Sequence, residues 1–442
     1  LKNFKLIFFI SLIVKLILAA AIPLTSDEAY YWVWSHRMQL SFFDHPPAVA
    51  WLFWIGHFFE NLGSAVRWPG VILGHLTLLV WYLIWQEISN QESDRKRWPW
   101  WLAVVLFSPL LGFGSLIVTP DLPVLFFWAT SLLFFLRLLK SKKAFDYALF
   151  GASLGLGFCS KYHIVLFVPI ALTYLVVEKK LNQIVWKNVL LTIFFGLLFC
   201  SPVLIWNFQN DFASFRFQLQ HGLVRNEYRF YWTWSYVLSQ IVILFPVIVW
   251  RAMKARIQGV ARMMYYFAWG PLLFFFLSSF KALVEANWPV VAYPAFIAVA
   301  VLGASRFKPF LFAVIFWIFI FVAALTHLLF PWIPSAPDKF MELTQFAPLK
   351  EKTKQYQPLY ASTYQMASWI WFETKTPIYK LQGISRHDLF DTFPEGQPRG
   401  FPFYLAMKRE TEMPNWILED SDIKITEIEN LENDLVVVKV DK

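Results

Sequence analysis

At 442 residues the chain is long enough for two or three soluble domains. Its composition excludes them: 58% of residues are hydrophobic, 20% aromatic and only 16% charged, where a soluble domain carries roughly 25% charged residues. The net charge of +9 comes from basic residues scattered between apolar runs. With no basic face, no nucleic-acid partner is expected. Cys159 and Cys200 are the only cysteines, too few for a disulfide framework, and read as buried apolar fillers.

In chain order, apolar segments lie near 4–23, 69–88, 98–118, 122–139, 144–159, 163–178, 188–206, 233–250, 263–280, 288–303 and 309–330. They predict about eleven transmembrane helices, since a span needs roughly 20 apolar residues. The segments at 144–159, 163–178 and 288–303 are short for a span. The first is flanked by Lys2, Lys5 and Ala19-Ala20-Ala21 in the manner of a signal peptide. Its apolar run is long for one, so it is read as an anchor. Composition changes near Pro331: residues 1–330 hold 26 Lys and Arg against 13 acids, and residues 331–442 hold 13 against 17. The expected organisation is a membrane domain, 1–330, with a first outer loop at 24–66, and a small α/β domain, 331–442. In the second part, Pro377–Leu381, Pro402–Met407, Asp422–Ile428 and Leu435–Val440 read as strands and Tyr364–Phe372 as a helix.

One set of alternate loops carries 18 Lys and Arg and the other seven. The positive-inside bias makes the first set cytoplasmic, with the N-terminus inside and the tail outside. Lys15 is left inside the first span. Eight of the 13 acids then fall on the outer side: Asp27, Glu28, Asp44, Glu60, Asp121, Asp211, Glu227 and Glu285. For Glu60, Asp211 and Glu227, plain solvation in loops is the expectation. The first outer loop reads Thr25-Ser26-Asp27-Glu28-Ala29-Tyr30-Tyr31-Trp32, then Phe43-Asp44-His45-Pro46-Pro47. Ser26 or Asp27 is expected to cap a short interfacial helix, whose positive end would keep Asp27 ionised, as a general base requires. The proline pair holds Asp44 and His45 and starts a second interfacial helix.

Three more outer segments join this set: Thr119-Pro120-Asp121, Ser160-Lys161-Tyr162-His163, and Glu285-Ala286-Asn287-Trp288. A plain N-cap role for Asp121 stays open. The stretch from Trp206 to Tyr231 is long enough for a lid, and a simple connector would look alike. Carboxylates, cations and aromatics beside lipid suit a substrate with an apolar tail, a phosphate and a polar head. No Walker A loop, Gly-rich dinucleotide fingerprint or His-Glu-x-x-His occurs. Gly151, Gly155 and Gly157 suit close helix packing. No cofactor is expected. A divalent metal is left open, because His36, Asp44 and His45 offer ligands without a compact set of three or four.

These motifs resemble the first loop of membrane glycosyltransferases with the GT-C fold, such as bacterial relatives of protein O-mannosyltransferase and the lipid A aminoarabinose transferase. Weaker matches are Trp206-Asn207, Phe217-Gln218, His221-Gly222 and, in the tail, Tyr364-Gln365-Met366-Ala367-Ser368. The resemblance implies a polytopic helical fold and inverting transfer from a polyprenyl-phosphate sugar, with the active site on the periplasmic side of the bacterial inner membrane. It implies that Asp27 is the base; Glu28, Asp44 and Asp121 are further catalytic candidates, Asp44 and Asp121 to orient acceptor or base. Donor phosphate contacts would come from His45, Lys161, Arg67 and Arg225. Tyr30, Tyr31, Tyr162, His163, Glu285, Asn287 and Trp288 would hold sugar or acceptor. His45 replaces a lysine of the aminoarabinose group, and Asn287 replaces a histidine. The acceptor stays open among lipid A, core oligosaccharide, another envelope glycan and protein, and a monomer among membrane lipids is expected. The rival reading is a transporter or flippase for lipid-linked sugars. It is disfavoured because the charges gather at the outer rim, whereas transporters place them near the midplane of repeated halves.

Overall fold

The computed structural model describes residues 2–89, 91–223, 227–330, 332 and 343–442. Among these, six helical stretches are long and apolar enough to cross a membrane: Phe4–Ala21, Ala48–Ile88, Asp121–Ser141, Trp186–Gln209, Gly259–Ser278 and Lys308–Leu328. Two further spans form only as bent pairs, Glu92–Phe107 with Pro109–Leu116 (71°) and Phe230–Leu244 with Pro246–Lys254 (92°). Proline begins the second half of each pair, where its missing N–H breaks the helical ladder. Ala144–Phe158, Tyr162–Val177 and Trp288–Leu302 are shorter apolar helices. Every apolar segment read from the sequence is thus helical, but eleven straight spans are not. Hydropathy sums along the chain and does not register a bend.

Small residues decide the closest packing. A Cβ at Gly151 would stand 2.2 Å from the Thr192 carbonyl oxygen, and one at Gly155 2.5 Å from that of Gly196. The helices Ala144–Phe158 and Trp186–Gln209 therefore meet backbone to backbone. Elsewhere indole rings fill the core: Trp98 stacks on Trp101 at 4.8 Å, and Trp101 on Trp81 at 5.3 Å. Lys15, inside the first helix, donates to the Ser115 hydroxyl at 2.6 Å. Both cysteines are free and buried.

The first loop links α1 (Lys2–Ala21) to α4 (Trp68–Ile88) through α2 (Ser26–His36) and α3 (Ala48–Gly56). Thr25, one residue before the expected positions, caps α2. Its hydroxyl accepts from the Glu28 N–H, and the Glu28 carboxylate accepts from the Thr25 N–H. This reciprocal box needs an acid three residues past the cap, which Glu28 supplies. α3 and the helix after it, His57–Arg67, leave Trp54, Ile55, Phe58 and Leu62 exposed, an apolar surface suited to the membrane interface.

The tail forms one five-stranded sheet. β1 (Leu359–Ala361), β2 (Tyr379–Lys380), β3 (Phe403–Lys408), β4 (Lys424–Asn430) and β5 (Leu435–Asp441) run in the order β2-β1-β3-β5-β4. β1 pairs parallel with β2 and β3, and the remaining pairs are antiparallel. Four of these strands overlap the expected ones. β1, only three residues long, has no signal in the sequence. The tail helix Tyr364–Thr374 packs on α2, with Trp32 edge-on to Trp371 and Phe372 at 6.1 and 5.2 Å. Apolar residues of the first loop and the tail share one core.

Candidate active site

A cavity of about 340 Å³ opens between the first loop, the helix Ala213–Leu223 and the tail. Eight of the expected site residues line it: Asp27, Tyr30, Tyr31, Asp44, His45, Lys161, His163 and Trp288. Phe217, Gln218, Tyr364 and Arg386 complete the wall. Three loops converge because their ends are tied together. The Ala48 N–H, just after the proline pair, donates to the Cys159 carbonyl at 2.9 Å. That bond holds Asp44 and His45 beside the loop carrying Lys161.

Asp121 is the first residue of the helix Asp121–Ser141 and does not cap it. Its carboxylate instead bridges two partners, the Lys161 ammonium at 2.6 Å and the Asn287 amide at 2.5 Å. Lys161 is 7% exposed and reaches the cavity wall from this anchor. Asp44 is engaged on both oxygens: Oδ1 with Arg386 at 2.5 Å, Oδ2 with the Tyr30 hydroxyl at 3.0 Å. Its carbonyl accepts from Gln218 at 2.8 Å. The Tyr30 hydroxyl in turn accepts from the Leu389 N–H at 2.8 Å. Asp27 sits in the first turn of α2 with its side chain exposed to the cavity, and the Tyr364 hydroxyl donates to it at 3.4 Å.

Burial and nearby charge set the protonation states. His45 is pushed down to about 4 by burial and by the positive charge of Lys161, against the pull of Asp44 and Asp121. It is therefore neutral at pH 7, an imidazole that can donate a hydrogen bond to a ligand without carrying charge. Burial and then Asp27 raise Tyr31 and Tyr364, so both phenols remain O–H donors.

Several expected residues stand elsewhere. Glu28 and Arg67 do not line the cavity. Their side chains are fully buried and pair at 2.6 Å. Glu28 also accepts from the N–H groups of Thr25 and Val118, and Arg67 donates to the carbonyls of Ala19, Ile22 and Pro23. Tyr162 points at Ser214, hydroxyl to hydroxyl at 2.8 Å. Glu285 is exposed and outside the cavity lining. Asn287 is set behind the wall on Asp121. Arg225 lies outside the described residues.

Arg386 was not singled out by sequence reasoning. It sits in a loop riveted from below: the Lys380 ammonium binds Asp388 and Asp391, each at 2.7 Å, and the Arg386 carbonyl at 2.9 Å. Its guanidinium lies 4.8 Å from the centre of the Tyr364 ring. A lone arginine in a polar tail has no local pattern to mark it. The Tyr364 motif was the only hint that this part reaches the site.

The fold defines a class. The chain is a multi-pass membrane protein with the fold of the GT-C polyprenyl-phosphate-sugar glycosyltransferases, as its motifs suggested. Two crystal structures of ArnT from Cupriavidus metallidurans superpose over nearly the whole length. The form bound to undecaprenyl phosphate gives a TM-score of 0.68 at 14% identity, covering 99% of this chain and 98% of that one. The apo form gives 0.69 at 16% identity over the same shares. Residues 44–206 match the family model "Dolichyl-phosphate-mannose-protein mannosyltransferase". The lipid A galacturonosyltransferase RgtD of Rhizobium johnstonii is 27% identical over 290 residues. That match covers 61% of this chain and spans 58% of the relative's length.

Proposed function

We propose that the chain is an inverting glycosyltransferase of the bacterial inner membrane. It moves a sugar from a polyprenyl phosphate to a hydroxyl of a lipid acceptor of the lipid A class, on the periplasmic side. The observation that carries this reading is the single cavity in which the exposed carboxylate of Asp27 faces Lys161 and neutral His45. The relatives' names support the two ends of the reaction, undecaprenyl phosphate as carrier and lipid A as acceptor. The excess of basic residues in the opposite loops supports the orientation, with the N-terminus cytoplasmic and the tail periplasmic.

The acceptor oxygen attacks the anomeric carbon while Asp27 removes its proton. The bond from that carbon to the phosphate oxygen breaks, its electron pair leaves with the polyprenyl phosphate, and the configuration inverts. Lys161 supplies the permanent positive charge for the departing phosphate, and His45 donates a neutral hydrogen bond. Asp121 and Asn287 hold Lys161 in place. Asp44, fully engaged by Arg386 and Tyr30, orients the tail against the first loop. Tyr31, His163 and Trp288 offer faces and donors to the sugar. Glu28 and Arg67 serve the fold.

The test is reconstitution with a polyprenyl-phosphate sugar and a lipid A acceptor, read by mass spectrometry. Sugar joined to the acceptor supports transfer. Lipid-linked sugar crossing the bilayer unchanged would favour the transporter reading. Wild-type turnover in Asp27→Asn would overturn the base assignment.

A further inference from the structure

The last turn of α2 and the helix after α3 bring His36, His57 and Glu60 together. One ligand atom from each lies within 4.8 Å of the other two, and the two imidazole rings stand 4.4 Å apart. His36 lies nine positions after Asp27 along α2, about 13 Å of helix rise, so the cluster is separate from the cavity.

Hydrogen bonds fix both tautomers. His36 Nδ1 lies 3.0 Å from the Trp32 carbonyl oxygen. A carbonyl only accepts, so Nδ1 carries the hydrogen and Nε2 keeps a lone pair. His57 Nε2 lies 2.8 Å from the Ser35 hydroxyl, which already donates to the Trp32 carbonyl at 2.5 Å. That hydroxyl must accept, so Nε2 carries the hydrogen and Nδ1 keeps a lone pair. Each ring thus has one nitrogen tied to an outer partner and one basic nitrogen, the arrangement found behind metal-binding histidines. Glu60 gives one oxygen, Oε1, to Lys375 of the tail at 3.2 Å. A carboxylate has a second.

We propose that His36, His57 and Glu60 form a binding site for a zinc-class divalent cation, which clamps α2 to the helix after α3 beside the tail. Two imidazoles and a carboxylate make a donor set that borderline ions favour, with water in the fourth position. Tetrahedral ligands about 2.0–2.1 Å from zinc stand about 3.4 Å apart, so a trio with one donor atom of each residue within 4.8 Å of the others needs only small side-chain rotations to bring the free ring nitrogens to zinc. His36 is exposed and Glu60 only partly buried, which leaves both side chains room to move. The His36 ring lies 4.3 Å from Trp32 and 6.4 Å from Trp371 of the tail helix, which puts the clamp at the seam of first loop and tail. Lys375, held 4.0 Å over Phe372 and 4.8 Å over Trp32, is the nearby cation that opposes it.

The test is titration of zinc chloride into the full chain in detergent after chelator treatment, by calorimetry and melting, with cobalt(II) absorption as the geometric readout. One equivalent is expected to bind, to raise the melting temperature with concentration, and to give tetrahedral cobalt bands. His36→Ala with His57→Ala, and separately Glu60→Gln, should weaken binding by about a hundredfold or more. Lys375→Met should tighten it. Equal affinity in the histidine double variant overturns the proposal. So does no saturable binding to wild type up to about 1 mM zinc, the weak end of specific affinity.

Discussion

Two sets of ion pairs, both near the start of α2, behave differently. Glu28 and Arg67 are sealed, fully buried, with both carboxylate oxygens and three backbone carbonyls engaged between them. Asp44 with Arg386 and Asp121 with Lys161 sit at a cavity wall. A sealed pair is out of a substrate's reach. It joins α1, the first loop and the segment before Asp121, and its loss leaves an uncompensated buried charge. The wall pairs keep a face toward the cavity, so a ligand can compete with or add to them. Adjacent acids in one motif, Asp27 and Glu28, thus divide between cavity and interior because successive helix positions point about 100° apart.

The sharpest way to break this division is Asp27→Asn. Turnover should fall by about 10²–10⁴-fold, the usual worth of a positioned base, with the melting temperature unchanged. A parallel loss of stability would move Asp27 into the structural set. Next, Glu28→Gln should cost on the order of 3–5 kcal/mol of stability, because Arg67 loses its buried partner. Arg67→Met added to it should restore a large share of the melting temperature and of the turnover. A folded but inactive double variant would return Glu28 to the chemistry.

Lys161→Ala should raise the KM for the donor by about tenfold to a hundredfold, the range of a charge-assisted hydrogen bond, with the acceptor KM little changed. Equal effects on both substrates would argue against the phosphate role. Arg386→Ala should lower kcat by about tenfold, within the span of a lost hydrogen bond to a charged group. An unaltered rate would make the tail a bystander.

The smallest effect concerns pH. His45 is held down to about 4 in the folded chain by burial and Lys161, and ordinarily titrates near 6.5. The unfolded chain therefore takes up this proton first. The stability contributed by neutral His45 is complete above about pH 6.5 and is lost as pH falls toward about 4. His45→Gln should flatten that part of the melting curve. The same slope in the variant would assign it to another group.

Much of the site was legible because its residues violate their surroundings. Asp27, Asp44, His45 and Lys161 are polar groups next to apolar spans, and a carboxylate or ammonium there has few bland explanations. Burial and direction were not legible. Tyr162 and Arg67 are as polar as their neighbours, yet one turns to Ser214 and the other to Glu28. Glu60 looked like a solvated loop acid until its helix set it against two histidines.

The sequence alone determined that the chain crosses a membrane many times, which segments are apolar, where the polar tail starts, and which first-loop residues were candidates for the cavity wall. Those properties are local sums of transfer free energy and short-range pattern. Only the tertiary structure decided that prolines bend two spans, that Arg386 closes the cavity onto Asp44, and that Glu28 is a rivet. Each depends on which distant segments come into contact. Arg386 and Asp44 are 342 positions apart, and no local pattern encodes a partner at that distance.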